Sequence, residues 1–322
     1  MSLEITTLQE KHLEDAAALA SVRYKALRKC VPLLPSKYEE VNIVLAMLDD
    51  LVKKSPGVAA FQGNQLVGFL TGFVIPRFLG KRTAYSPEWA NGANLEESRQ
   101  IYDEMYARLS AQWAADGCVT HVVTLLGNDR RGIEGWQWLG FGFAGVDGVR
   151  EMKFVEDVAV RPEIRQAGKG DAAVASSFVK ALEKHMAAAP IFWAHELGDS
   201  KEWLTDSTRA VWLAYEGEEA VACMGIGPAN PDACAIIQDE QTASIMMAFT
   251  QASARNKGVA TALLNRSLEW ARSQGYERCA VDFETMNFLA TRFWLKWFEP
   301  VCYSLMRCID ERTASAEDGA RR

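Results

Sequence analysis

No pair among the seven cysteines (Cys30, Cys118, Cys223, Cys234, Cys279, Cys302 and Cys308) has Cys-x-x-Cys spacing. Neither a zinc site nor a disulfide framework is expected from them. The four histidines, His12, His121, His185 and His195, show no ligand spacing with one another or with the cysteines. Each reads as a surface or satisfied core residue, and no metal is expected. No apolar stretch reaches the ~18 uninterrupted residues of a spanning helix. The start, Met1-Ser2-Leu3-Glu4, has neither a charged leader nor an apolar core to follow it. The expectation is a cytoplasmic protein with no membrane partner. There is no basic run interleaved with aromatics, and the formal net charge is −7, so no nucleic-acid partner is expected. What is present is an ordinary globular composition: 49% hydrophobic and 24% charged residues over 322 positions, enough for two domains.

The coarse pattern is one plan written twice. Ile5-Thr-Thr-Leu8 precedes the alanine-rich Ala16-Ala-Ala-Leu-Ala20, and Ile164-Arg-Gln-Ala167 precedes Ala172-Ala-Val-Ala-Ser176. Each reads as a short strand and then a helix capped by Asp15 or Asp171. Farther on, Trp136-Gln-Trp-Leu-Gly-Phe141 answers Phe293-Trp-Leu-Lys-Trp-Phe298 at a similar offset. Periodicity predicts strands near 5–8, 57–62, 66–75 and 121–126 in the first half, with helices over 14–27, 38–53 and 98–115. The second half reads as helix 172–186, strands 209–215 and 220–226, a strand around Ile245, helix 259–273, strand 279–284, helix 289–297 and strand 301–308.

Between the strand-like Ala243-Ser-Ile-Met-Met-Ala-Phe249 and the amphipathic helix carrying Leu263, Leu264, Leu268 and Trp270 lies Thr250-Gln-Ala-Ser-Ala-Arg-Asn-Lys-Gly-Val-Ala-Thr261. A small loop before a helix N-terminus presents free amides to an anion, Gly258 and Ala260 permit close approach, and Arg255 and Lys257 add positive charge. A second Arg-x-x-Gly-x-Gly spelling, Arg165 to Gly170, opens the second copy and reads as first-strand sequence. The counterpart in the first copy, Thr83 to Ser98, has no such loop. Its Asn91-Gly92 is a turn signal, and Glu96 and Glu97 at a helix start repel a phosphate. Arg130 and Arg131 form an arginine pair that either binds an anion or is simply solvated.

Arg255-x-x-Gly258-x-Ala260 in a strand-loop-helix setting resembles the pyrophosphate loop of the GNAT superfamily of acetyl-CoA-dependent N-acetyltransferases, and the element order is similar to two such domains in tandem. That resemblance implies an α/β (α+β) fold, two GNAT domains each with a mixed, mostly antiparallel twisted sheet flanked by helices. It implies a degenerate domain over 1–155, an acetyl-CoA-binding domain over 160–312 and a polar tail over 313–322. By position it assigns Ala248, Phe249 and Thr250 to the pantetheine arm, and Arg255, Asn256, Lys257, Gly258, Val259, Ala260 and Thr261 to the pyrophosphate. Asn287 matches an asparagine that touches the cofactor in relatives, and it also reads as a helix cap.

The implied reaction moves acetyl from acetyl-CoA, a co-substrate, to a primary amine of a small molecule. Asp282 and Glu284 share one strand face, and Asp282 matches a glutamate general base of some relatives. The pair either takes the ammonium proton or binds a cationic substrate. Where relatives read Leu-Tyr-x-Lys-x-Gly-Phe, this chain has Phe293-Trp-Leu-Lys-Trp-Phe298. Trp294 thus replaces the tyrosine acid, and indole carries no acidic proton for the task. Tyr303 is the substitute candidate, with water as the other source. His195 and Glu196 fall in the substrate region. The alternative function is a catalytically silent acyl-CoA-binding or sensor protein.

Overall fold

The computed structural model describes residues 3–155, 162–194 and 200–313. The chain forms two compact units: Met1–Val146 with Cys234–Ile236 and Pro300–Arg322, and Asp147–Ala233 with Ile237–Glu299.

The first unit opens with β1 (Leu3–Thr7), α1 (Leu13–Cys30) and α2 (Val41–Val52). Buried Leu13, Ala16, Ala17, Ala20, Tyr24 and Leu27 give α1 the one-sided apolar stripe of a packed helix. Asp15 lies inside the first turn of α1 rather than at its cap, because the helix already begins at Leu13. Strands β2 (Gly57–Gln62), β3 (Gln65–Thr71), β4 (Phe73–Phe78), β5 (Lys81–Ser86) and β6 (Asn91–Ala93) follow. Then come α3 (Ser98–Ala115), β7 (Thr120–Leu126), α4 (Arg130–Trp138) and β8 (Gly142–Glu151), which runs across the division between the units.

The strand expected over 66–75 breaks at Gly72, where a Cβ would lie 2.4 Å from the Tyr85 carbonyl oxygen. β3 therefore joins the order β1-β2-β3-β6, while β4 starts a different sheet beside β5 and β7. Asn91-Gly92, read as a turn, is a strand instead: β6 pairs with β3 through Phe69↔Gly92. Glycine is needed there because a Cβ would meet the Phe69 ring at 2.9 Å.

The second unit contains β9 (Glu163–Gln166), α5 (Ala172–Ala187), α6 (Ser200–Thr205), β10 (Ala210–Glu216), β11 (Glu219–Pro228), β12 (Thr242–Thr250), α7 (Val259–Ser273), β13 (Arg278–Glu284) and α8 (Phe288–Trp297). Its strand order is β13-β12-β11-β10-β9. β12 and β13 are parallel, as the intervening helix α7 requires, and the other neighbours in this order pair antiparallel. Phe178 and Val179 of α5 pack with Val211, Leu213, Cys223 and Met247 in one buried cluster. Asp171 stands at the N-cap of α5, but its carboxylate bonds Arg165 and the Gly168 amide, so the Arg165–Gly170 spelling folds as the end of β9 and a short turn.

The last strand, β14 (Glu299–Cys308), pairs antiparallel with β7 from Cys302↔Leu126 to Cys308↔Thr120. A division running the second domain continuously to residue 312 therefore separates β14 from its ladder partner. Residues from Pro300 onward belong to the first unit.

Candidate active site

The parallel pairing of β12 with β13 stops at Ile245↔Val281, although both strands continue. On its other side β12 stays paired with β11 as far as Ala222↔Thr250, after an irregularity that places Met246 as an extra residue between Ile245 and Met247. A bulge of this kind bends a strand and sharpens its twist, which opens the fork from β13. Beyond the fork, Met246–Thr250 is without ladder pairing to β13 among the described residues, and unpaired peptide groups demand partners.

The chain then forms the loop into α7. Asn256 (φ 60°) and Gly258 (φ 83°) are both left-handed. Asparagine tolerates that region, and glycine at the N-cap enters it without steric penalty. The first intrahelical bond runs from the Ala262 amide to the Gly258 carbonyl at 3.0 Å. The amides of Gly258, Val259, Ala260 and Thr261 thus precede the helical ladder and form the positive end of its dipole.

These two features meet in a cavity of about 420 Å³. Ala248, Phe249 and Thr250 form its strand side, Arg255, Asn256, Gly258, Val259, Ala260 and Thr261 its loop side, and Asn287 and Trp294 of the α8 region its far side. Arg255 is held in place: its Nε donates to the Thr250 carbonyl at 3.0 Å, and the guanidinium lies 5.9 Å from the Phe249 ring centre. Lys257 does not line the cavity and pairs instead with Glu216 at 3.3 Å on the surface. Cys223 does line it, but burial pushes its thiol up to about 12, against a Phe249 backbone bond that lowers it, so it stays neutral.

Asn287 caps α8, its Oδ1 accepting from the Ala290 amide at 3.4 Å. The same oxygen lies 3.2 Å from Nε2 of His185, on α5. Reading the histidines by spacing alone missed His185, because its partner is 102 positions away. Trp294 is 5% exposed and packs edge-on against Phe293 and Phe298.

The other predicted chemical groups do not line this cavity. Asp282 is the first β13 residue past the fork, and its Oδ1 accepts from the Asn230 amide nitrogen at 3.0 Å. Its carboxyl reaches solvent, yet protein closely surrounds it. That loss of hydration raises its pKa, the Asn230 bond opposes the rise, and neighbouring Glu284 adds to it. Asn230 carries no sequence signal for this role, since it lies in the loop after β11. Tyr303 sits on β14 with its ring 5.3 Å from Phe143, packed against the first unit's core. His195 and Glu196 lie outside the described residues. In the first unit, Arg131 donates to the Glu96 carbonyl, and Asp129 rather than a phosphate loop caps α4.

A strand fork closed by a glycine-led helix N-terminus places peptide groups and an anion-attracting helix end around one cavity. Residues 178–298, within the second unit, match the model of the Acetyltransferase (GNAT) family. Among solved structures the chain is similar to a GCN5-related N-acetyltransferase from Sphaerobacter thermophilus, 11% identical over 95% of each chain with a TM-score of 0.57. It is also similar to the glucosamine N-acetyltransferase region of a fungal multi-domain GH3 beta-N-acetylglucosaminidase, at 10% identity and a TM-score of 0.51, covering 95% of this chain and 38% of that one. A tandem GNAT protein from the clavulanic acid biosynthesis pathway is 14% identical over 95% of this chain and 98% of its own, with a TM-score of 0.48. At such identities the first two likenesses show the fold, and in the first it extends over both halves. No curated protein matches the chain. Among the described residues no helix is long and apolar enough to cross a membrane, and no cluster of ligating side chains suits a metal ion.

Proposed function

We propose that the second unit transfers the acetyl group of acetyl-CoA to the primary amine of a small molecule. The observation that carries this is the meeting, in one cavity, of the β12 edge and the α7 N-terminus. The residues present fit the donor. Peptide groups of Ala248 to Thr250 suit the two amides of pantetheine, and the amides of Gly258 to Thr261 with Arg255 suit a diphosphate. When bound, acetyl-CoA supplies an activated thioester carbonyl.

The chain supplies the proton handling. An ammonium group is no nucleophile, so a base must remove its proton before attack. Asp282 stands at the fork with a raised pKa and with Asn230 orienting its carboxylate. Glu284, two residues along the same strand, adds negative charge that draws a cationic acceptor toward it. A second reading, an acyl-CoA-binding protein without turnover, is favoured by Trp294, whose indole occupies the cavity wall and has no proton to give.

Thermal stabilisation by acetyl-CoA and free-thiol release across a panel of amines separate the two. The proposal expects stabilisation in the wild type, its loss in Gly258→Glu, and turnover that Asp282→Asn lowers by about 100-fold or more while binding persists. Stabilisation without thiol release from any amine would leave the second reading standing. No stabilisation by any CoA ester would remove both.

A further inference from the structure

Breaking a thioester leaves a thiolate that must be protonated, and the cavity holds few groups able to do so. Its lining side chains that carry an exchangeable proton are His185, Cys223, Arg255, Lys296, Asn256, Asn287, Thr250, Thr261 and the Trp294 indole. Alcohols, amides and indole are far too weak as acids, and guanidinium does not deprotonate in proteins. Cys223 is a buried thiol pushed up to about 12. Lys296 has its ammonium 4.2 Å from the Trp297 ring centre, a contact that favours the cation over release of its proton. Imidazole is the side chain that ordinarily exchanges a proton near neutrality.

The geometry sets the state of that imidazole. Asn287 Oδ1 is the α8 cap acceptor, so the amide cannot be turned round without losing the cap. Its nitrogen points at the Met186 sulfur, 3.7 Å away. An oxygen at that position makes His185 Nε2 the donor in the 3.2 Å contact, which places one ring proton on Nε2. Among the described residues Asn287 is the ring's hydrogen-bond partner. Nδ1 is then a bare acceptor in neutral imidazole and a donor in imidazolium. The charged side chains lining the same cavity are Arg255, from the loop before α7, and Lys296, from α8. No carboxylate lines it to take that proton first.

We propose that His185, as imidazolium, protonates the departing thiolate, an assignment that rests on the acetyl-transfer reading above. The amine nitrogen forms the new C–N bond, the C–S bond breaks, and its electron pair leaves with sulfur. Nδ1–H of His185 gives its proton to that sulfur, while Nε2–H stays on Asn287. The ammonium loses two protons in all. One passes through Asp282 to water, the other balances the proton His185 recovers from solvent, and the products are the amide, CoA and one net proton.

Two measurements on the full chain test this. In the first, the His185 ring is followed by NMR through a pH titration with CoA or with desulfo-CoA, which lacks the sulfur. The midpoint moves with CoA and not with desulfo-CoA if the thiol sits at His185, and equal behaviour with both overturns the assignment whatever the enzyme's acceptor is. In the second, His185→Gln keeps an N–H for Asn287 and removes the titrating group. Turnover is expected to fall about 100-fold, the alkaline limb of the pH–rate profile to disappear, and the KM for acetyl-CoA to stay within about twofold. Turnover within about threefold of wild type with an unchanged profile overturns His185 alone. A wild type that turns over no amine removes the acetyl-transfer reading and this assignment with it.

Discussion

Two buried titratable groups in the first unit oppose one another across the acid range, and Glu88→Gln exposes the opposition. Glu88 is 3% exposed; its Oε1 accepts from the Ile236 amide at 3.0 Å, and no partner among the described residues reaches its buried Oε2. Burial lifts the carboxyl to about 7, with backbone amides of Glu88, Ile236 and Ala235 pulling the other way. His121 is 1% exposed, between Tyr106 Oη at 2.8 Å and the Cys118 carbonyl at 3.1 Å. Burial depresses it to about 4, against the Cys118 bond and with help from Arg307.

Between pH 4.5 and 7 the folded chain keeps a proton on Glu88 that the unfolded chain releases. That stability is present at low pH and is lost as the pH rises through 7, about 3 kcal/mol in all. Between pH 4 and 6.5 the unfolded chain instead binds a proton that buried His121 refuses. That stability is complete above 6.5 and is lost as the pH falls through 4, again about 3 kcal/mol. From pH 4.5 to 6.5 the slopes of these two groups oppose and largely cancel. Glutamine keeps the acceptor for Ile236 but does not titrate, so Glu88→Gln should gain about 2 kcal/mol on going from pH 4.5 to 6.5. Urea unfolding followed by the fluorescence of buried Trp113 and Trp136 at four pH values measures this. Parallel wild-type and variant curves would refute the reasoning.

Asp129→Ala should destabilise the first unit by about 3–5 kcal/mol in the same assay. It strands Arg23, whose guanidinium is 2.5 Å from Asp129, with the two side chains 3% and 1% exposed, and it removes the α4 cap bond to Gly132; a loss below about 1 kcal/mol contradicts the buried-pair account. Arg255→Ala should weaken acetyl-CoA binding about tenfold, because it removes a charge-assisted contact at the cavity. Lys257→Ala, which breaks a surface pair with Glu216, should change it less than about twofold, and calorimetry giving equal effects would count against the lining described here.

The helices α3 and α7 and strand β2 fall on the predicted ranges 98–115, 259–273 and 57–62. Their apolar periodicity, the free-standing glycine at 258 and the bounding turns all lie within one local window. What the sequence did not disclose depends on distant partners. Gly92 looks like a turn until Phe69 and the Arg23 side chain are seen against it. β14 follows α8 in the chain, yet it completes a ladder with β7, some 180 positions earlier. Lys257 reads as a phosphate ligand beside Arg255 until Glu216, 41 residues away, takes its charge. His185 has no neighbour in sequence to mark it, and only the fold brings it to the α8 cap. Asp282 was visible as one of two carboxylates on a strand face, whereas its place one residue past the fork depends on where two strands part.

The proposed donor site is the β12 edge together with the α7 N-terminus. Isothermal titration of the full chain with acetyl-CoA tests it most directly. Saturable binding at one site per chain is expected, abolished by Gly258→Glu, which forces a left-handed backbone on a side chain and sets a carboxylate against the diphosphate. No binding by the wild type, or binding that Gly258→Glu leaves unchanged, would contradict it.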